Sequence, residues 1–340
     1  MSPQKTLAAY LKAPFQIELR EVVLPDPGPD EVLLRVKACG ICGTDLHAAR
    51  SQATEWQPFG HEVAGIVAKV GAHVTTVKEG DTVALESASF CGHCDLCRDG
   101  RVDLCNKAPN FWSGSTMGFA EYMLAPKEAL VPFEGLPFEH ACLAEPLGVA
   151  LDMTYTAQIA LGDDVLIVGL GPIGLMSIPL ARMQGAARIY AVNRSEGIRL
   201  EKARALGADH VFAAEKEPIS EQSYRRGGVQ RALVTAPPST LPEVMKVMSY
   251  GGVISFIGIE YGPGAQITFD ANEFHFRKLQ LRASFASPAL YFPTALRLLR
   301  DGHVDASAIV SHVLPLERIM EGLELLRDHR DMMVKVVITP

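Results

Sequence analysis

Four cysteines fall within one stretch of fifteen residues and could hold a metal ion. They are separated by three, three and eight positions: Cys91, Cys94, Cys97 and Cys105. Thiolates three residues apart on a tight loop can bind one ion, and a fourth sulfur closes a tetrahedron with no open position. The pattern predicts a structural zinc site, with His93 in the loop facing solvent. An iron–sulfur site and a nucleic-acid zinc finger are the alternatives, although no basic helix follows the cluster.

A second group of residues offers a different mixture of ligands. Cys42 lies in Gly-Ile-Cys-Gly-Thr-Asp-Leu-His at 40–47, and His61 lies in Gly-His-Glu at 60–62. One thiolate and one imidazole leave room for a carboxylate or a water, and Lewis-acid catalysis requires such an exchangeable position. Each fragment alone has an ordinary explanation. A His-Glu pair is usually a surface or core feature, and Cys39 with Cys42 could form a redox dithiol.

A glycine-rich turn follows an apolar run directly and opens a helical pattern. Its candidate cofactor-binding residues are Gly169, Gly171, Pro172, Ile173 and Gly174. Glycines at these spacings allow a tight turn and a close approach of pyrophosphate to a helix N-terminus. The turn therefore predicts dinucleotide binding, and a glycine turn in an ordinary α/β sheet is the alternative.

The residue that reads the adenosine ribose should lie about twenty positions further on. Enzymes that use NAD commonly place a carboxylate there, whereas this chain has Asn193 followed by Arg194, with Arg199 at the end of the loop. A guanidinium can bind a 2′-phosphate. The missing carboxylate and the adjacent Arg194 favour NADP, and NAD is the alternative because an asparagine can also bond a ribose hydroxyl.

The sequence pattern changes at about residue 145. Before it, β-branched runs at 32–36 and 63–70 alternate with turns, and irregular cysteine-rich sequence fills 86–118. After it, strand-like runs at 165–168, 188–192, 232–235 and 253–257 alternate with helical patterns at 173–184, 196–206 and 239–249. This alternation predicts a mostly parallel sheet with helices on both faces. A helix near 317–327 and a strand near 333–338 end the chain.

Composition limits the classes of protein. The chain has 340 residues, 48% hydrophobic and 21% charged, with a net charge of -7, and this length predicts two domains. No Lys/Arg cluster indicates nucleic-acid binding, no apolar run is long enough to span a membrane, and the N-terminus shows no secretion signal. Seven cysteines, an odd number, argue against a disulfide framework. We therefore expect a cytoplasmic protein with neither nucleic-acid nor membrane partners.

Together these motifs resemble the zinc-containing medium-chain alcohol dehydrogenases, in particular the branch of polyol (sorbitol-like) and threonine dehydrogenases. The resemblance rests on the segments at 40–47 and 60–62, the four-cysteine lobe, Glu145-Pro146-Leu147 and the glycine turn, in the family's order. It implies an α/β protein: a GroES-like, mostly-β catalytic domain over 1–147 with a structural-zinc lobe at 86–118, a Rossmann doubly wound parallel-sheet domain over 148–288, and a return to the catalytic domain over 289–340.

The resemblance also implies roles for individual residues and two zinc ions per chain. Cys42 and His61 match ligands of a catalytic zinc. Glu62 ligates or adjoins that zinc, and Glu145 either coordinates it or acts from nearby. Thr44 and His47 match the hydroxyl and imidazole of a proton relay. Cys39 and Cys142 match no ligand position, so we expect them to be small buried hydrophobes.

The expected reaction is reversible hydride transfer between NAD(P) and a small hydroxylated substrate. The preferred substrate is a secondary alcohol of a polyol, cyclitol or sugar derivative, and an amino-acid alcohol such as threonine is the alternative. Phe111 and Trp112 could stack against a sugar face or serve as packing residues. A non-catalytic zinc-stabilised protein and a metal-free quinone or enoyl reductase are the rival classes. Family members are usually oligomers, so a homodimer or homotetramer is expected.

Overall fold

The computed structural model describes residues 4–340, and within them the chain forms sixteen strands and eleven α-helices. The strands are β1 (Gln4–Lys12), β2 (Gln16–Leu24), β3 (Glu31–Gly40), β4 (Gln57–Pro58), β5 (Glu62–Val70), β6 (Thr82–Leu85), β7 (Tyr122–Pro126), β8 (Leu130–Pro132), β9 (Asp164–Val168), β10 (Arg188–Asn193), β11 (His210–Ala213), β12 (Val229–Val234), β13 (Met248–Phe256), β14 (Gln280–Ala283), β15 (Val310–Pro315) and β16 (Lys335–Thr339). The helices are α1 (Gly43–His47), α2 (Asp95–Arg98), α3 (Phe138–Ala141), α4 (Ala144–Ala157), α5 (Pro172–Gln184), α6 (Ile198–Ala205), α7 (Leu241–Val247), α8 (Ala271–Phe276), α9 (Phe292–Arg300), α10 (Ala306–Ile309) and α11 (Ile319–Asp328).

These elements divide into two compact units. The first contains the chain up to Gly148 together with Ala286–Arg330 and Lys335–Pro340, and the second contains Val149–Phe285 and Asp331–Val334. The expected return of the whole segment 289–340 to the first unit thus differs from the structure at four residues. The reason is local: the N–H of Ile198 donates to the carbonyl of Asp331 at 2.8 Å, and a Cβ on Gly197 would lie 2.4 Å from that oxygen.

A mostly antiparallel β-sheet forms the core of the first unit. Seven strands pair in the order β15-β16-β3-β5-β6-β8, with β7 also paired to β3, and a separate sheet has the order β2-β1-β4. In the antiparallel pair of β3 and β5, Gly40 lies opposite Glu62. This register brings the residues after β3 next to those that begin β5. The segment between β6 and β7 holds only short helical turns among its described residues, as its irregular sequence predicts.

A six-stranded parallel sheet forms the second unit. Its order is β11-β10-β9-β12-β13-β14, the order of a Rossmann fold, and every pairing is parallel. All five residues of β9 are buried, which explains the continuous apolar run at 165–168. The predicted α/β fold class is therefore confirmed. The predicted helix at 239–249 ends earlier, at Val247, because β13 begins at Met248.

Within residues 4–340 every helix is too short or too polar to cross a lipid bilayer.

Candidate metal and cofactor sites

Cys42, His61 and Glu62 form a compact cluster in the first unit. Cys42 is the N-cap of α1, and His61 directly precedes Glu62, the first residue of β5. One ligand atom from each residue lies within 4.8 Å of the other two. Thiolate, imidazole and carboxylate are the donor types that bind zinc, so the chemistry of this cluster fits that ion.

Negative groups surround the imidazole of His61. Although burial opposes protonation, Cys42, Asp45 and Glu145 together raise the pKa of His61 well above its usual value. Its Nδ1 is buried without a hydrogen bond among the described residues, and Oδ1 of Asp45 lies 4.0 Å away. Asp45 also accepts a hydrogen bond from the N–H of Cys42 at 2.8 Å. The sequence-based argument missed Asp45, although its position three residues after a helix N-cap is the spacing of a capping box.

Lys335, at the start of β16, is a second residue that sequence reasoning missed. Its Nζ lies 2.6 and 2.7 Å from the two carboxylate oxygens of Glu62 and donates to the carbonyl of Ile41 at 2.9 Å. Both charged side chains are almost fully buried. A single lysine in an apolar strand was the available signal, because a buried charge requires a partner.

Glu145 lies in the first turn of α4 and is buried, but it is not part of the three-residue cluster. Burial raises the pKa of Glu145 to about 7. The charges of His61 and Lys335 and a hydrogen bond with Ser87 oppose this rise. Ser87 is thus a further residue at this site that its sequence context did not reveal.

Thr44 and His47 lie on α1, three residues apart, and therefore on the same side of that helix. Thr44 is exposed and His47 is half-buried.

The four cysteines predicted to bind one ion do converge. Their sulfur atoms all lie within 4.8 Å of one another, and two of the Sγ–Sγ distances, Cys91–Cys97 and Cys94–Cys105, are 3.9 Å. That separation suits the edge of a tetrahedron with zinc–sulfur bonds of about 2.3 Å. Backbone N–H groups, that of His93 foremost, lower the pKa of Cys91 to about 6 and favour the thiolate. His93 is exposed, as expected.

The other two cysteines, Cys39 and Cys142, are free thiols buried in the first unit. Burial raises the pKa of each thiol, so both behave as small apolar side chains.

The glycine turn of the second unit connects β9 to α5. Gly169 has a φ of +94°, and a Cβ on Gly174 would lie 1.9 Å from the carbonyl oxygen of Gly169, so both positions require glycine. Gly171 is the N-cap of α5, where a Cβ would meet nothing within 4 Å. Pro172 and Ile173 begin the helix. The open position beside unpaired helix N–H groups fits a pyrophosphate.

The three residues expected near the ribose have different surroundings. Asn193 ends β10 and accepts a hydrogen bond from the N–H of Leu170, in the glycine turn, at 3.4 Å. Arg194 is exposed and pairs with Glu215 at 2.9 Å. Arg199 lies on α6 and donates to the carbonyl of Met333 at 2.9 Å.

The fold and these sites define a metal- and dinucleotide-dependent oxidoreductase. The alcohol dehydrogenase GroES-like domain family matches residues 28–135, and the zinc-binding dehydrogenase family matches residues 172–301. L-threonine 3-dehydrogenase of Bacillus velezensis is 32% identical over 342 residues, 96% of each chain. Sorbitol dehydrogenase of Bacillus subtilis is 30% identical over 99% of this chain and 98% of its own.

Solved structures agree with these relatives. A protein of Sinorhizobium meliloti described as a zinc-binding dehydrogenase and bound to NADP superimposes with a TM-score of 0.88 at 28% identity, covering 99% of this chain and 100% of its own. The chain belongs to the zinc-containing medium-chain alcohol dehydrogenase family. It is a zinc- and NAD(P)-dependent alcohol dehydrogenase that acts on a small molecule.

Proposed function

We propose that this enzyme oxidises a secondary alcohol of a polyol, cyclitol or sugar derivative to the ketone, reversibly, with NAD(P). The observation that carries the proposal is the cluster of Cys42, His61 and Glu62, whose ligand atoms lie within 4.8 Å of one another. When bound there, zinc supplies the Lewis acid for the substrate hydroxyl, and the nicotinamide cofactor supplies the hydride acceptor.

Within this proposal Cys42 and His61 hold the catalytic zinc, and the carboxylate of Asp45 lies 4.0 Å from Nδ1 of that imidazole. Glu62 is the better candidate than Glu145 for the third ligand, because only Glu62 belongs to the cluster. Cys91, Cys94, Cys97 and Cys105 hold the second, structural zinc. Thr44 and His47 carry the substrate hydroxyl's proton away, since both lie on one side of a helix whose N-cap is a zinc ligand.

A panel of candidate substrates tests the proposed reaction. Polyols, inositols, aldoses and threonine would be offered with NAD and with NADP, and formation of reduced nicotinamide would be followed by absorbance. Oxidation of polyols or cyclitols is expected, and Cys42→Ala should abolish it while Cys142→Ala retains it. Turnover of no member except threonine would contradict the polyol assignment.

Threonine oxidation is the second candidate function. The observation in its favour is that L-threonine 3-dehydrogenases match this chain at 32% identity, slightly above the 30% of sorbitol dehydrogenase.

For the cofactor we propose NADP, bound along Gly169, Gly171, Pro172, Ile173 and Gly174, with Asn193, Arg194 and Arg199 near its adenosine end. Asn193 contacts the glycine turn and offers no carboxylate to repel a 2′-phosphate.

Asn193→Asp tests the NADP preference. The new carboxylate should repel the 2′-phosphate and raise the ratio of kcat/KM for NAD to that for NADP by about tenfold or more. Asn272→Asp is the control, because it makes the same chemical change at an exposed position in the second unit. Equal ratios in both variants would contradict the role of Asn193.

We further propose a cytoplasmic homo-oligomer, a dimer or a tetramer. The seven free cysteines suit a reducing compartment. Phe276 and Phe285 in the second unit expose most of their rings. Exposed apolar rings of this kind favour a surface that another subunit covers. Light scattering after gel filtration measures the mass directly.

A further inference from the structure

Trp112 exposes a large apolar ring beside the candidate catalytic cluster. Its indole is 49% exposed, although the ring of His61, which is buried, lies only 5.1 Å away between centroids. The neighbouring Phe111 is 3% exposed. Packing therefore accounts for Phe111 but leaves half of the indole without a partner in the fold.

The indole is held in a defined orientation. Its Nε1–H donates to the carbonyl of Ser87 at 2.7 Å, and its backbone N–H donates to Oδ1 of Asn110 at 3.0 Å. The ring of Phe111 lies nearly parallel to it, at 5.9 Å and 11°. An aromatic ring fixed in this way loses little entropy when a ligand covers it.

Polar groups border the same ring. Ser87, whose carbonyl accepts from Trp112, also forms a side-chain hydrogen bond with Glu145. A flat apolar surface beside Ser87, whose side chain in turn bonds Glu145, suits a ligand with a C–H face and a rim of hydroxyl groups. A six-membered polyol or sugar ring has that shape, whereas an acyclic polyol must first be ordered to present one.

We propose that Trp112 is a specificity-determining residue that stacks against the ring of a cyclic polyol or sugar substrate. The proposal rests on the dehydrogenase function proposed above and narrows it to ring substrates in preference to acyclic polyols and to threonine.

The chain contains two tryptophans, and this allows a direct binding measurement. In the zinc-loaded Trp56→Phe variant, Trp112 is the sole indole, and its emission should change saturably with myo-inositol or glucose. Sorbitol and threonine should change it less. The control is Trp112→Phe, whose remaining indole should not respond to the same ligands. The proposal would be overturned if the emission of Trp112 did not change when ring ligands were added. It would also be overturned if the emission changed only with the protein concentration.

Kinetics provide the second measurement. Trp112→Leu removes the ring and should raise KM for ring substrates by about tenfold, the effect of losing roughly one good aromatic contact, with kcat little changed. Trp112→Phe should retain most of the affinity, which separates stacking from loss of the Ser87 hydrogen bond. Equal KM changes for ring and acyclic substrates would contradict the proposal. If the unmodified enzyme oxidises no polyol, the proposed function fails, and the fluorescence titration still decides whether Trp112 binds rings.

Discussion

Glu62 and Lys335 form an ion pair that is almost completely buried, and Gly40 lies directly against the carboxylate. Removing charges from water is costly, so such a pair persists only where its geometry is good and its remaining valences are satisfied. Here both carboxylate oxygens contact the ammonium group, which also donates to the carbonyl of Ile41. The pair therefore holds Glu62 in place beside His61 and Cys42.

Gly40→Ala tests how tightly Glu62 is held. A Cβ at this position would lie 2.0 Å from Oε2 of Glu62, so the carboxylate must move. We expect a loss of stability of about 1–3 kcal/mol, as for other overpacked sites, with reduced zinc content and turnover. Gly43→Ala is the control, because a Cβ there meets nothing within 4 Å. Equal unfolding midpoints and zinc content for the two variants would show that Glu62 has room to move.

Two short elements carry the candidate metal ligands, and each depends on local geometry. The N-cap of helix α1 is Cys42, so this candidate ligand and the candidate relay residues Thr44 and His47 belong to one short helix. The cysteine lobe has few regular elements among its described residues, only α2 and a short 3-10 turn at Val102–Leu104. Because so little secondary structure stabilises the lobe by itself, a bound ion would contribute much of the stability of its fold.

Cys97→Ala tests the structural role assigned to the lobe. Metal analysis should fall from two zinc ions per chain, one for each candidate cluster, to about one, and the lobe should become sensitive to proteases. The cluster at Cys42 should keep its ion. Cys142→Ala serves as the control, since it removes a buried thiol that belongs to neither candidate cluster. Two zinc ions retained in Cys97→Ala would contradict the assignment.

Across the whole chain, the last strand completes a site that begins near the N-terminus. Lys335 lies in β16, which pairs with β3, and β3 pairs with β5, where Glu62 begins the strand. Although the two residues are 273 positions apart, the sheet brings their charges into contact.

Lys335→Met tests this long-range link. In the metal-free protein, loss of the ammonium group leaves the buried carboxylate of Glu62 without its partner, which should cost about 3–5 kcal/mol. Lys69→Met, which breaks the more exposed pair with Asp26, should cost far less, because solvent screens that pair. Urea unfolding of both variants measures the two losses, and similar losses would contradict the prediction.

Much of the fold and of the sites followed from short-range pattern. The cysteine spacings, the glycine turn and the alternating strands and helices are encoded within segments of a few tens of residues, where backbone geometry alone restricts the outcome. Even there, the end of α7 was misplaced, because strand β13 interrupts a pattern that could have continued as a helix.

Contacts between distant segments could not be obtained in that way. The pairing of Lys335 with Glu62, the return of Asp331–Val334 to the second unit and the exposure of Trp112 beside a buried Phe111 depend on strand register and on packing between segments far apart in the chain. Periodicity shows that a residue is buried or exposed along one element, but it carries no information about which distant residue faces it. Three-dimensional packing settles those partners, because a buried charge or ring is stable only where the assembled fold provides complementary atoms.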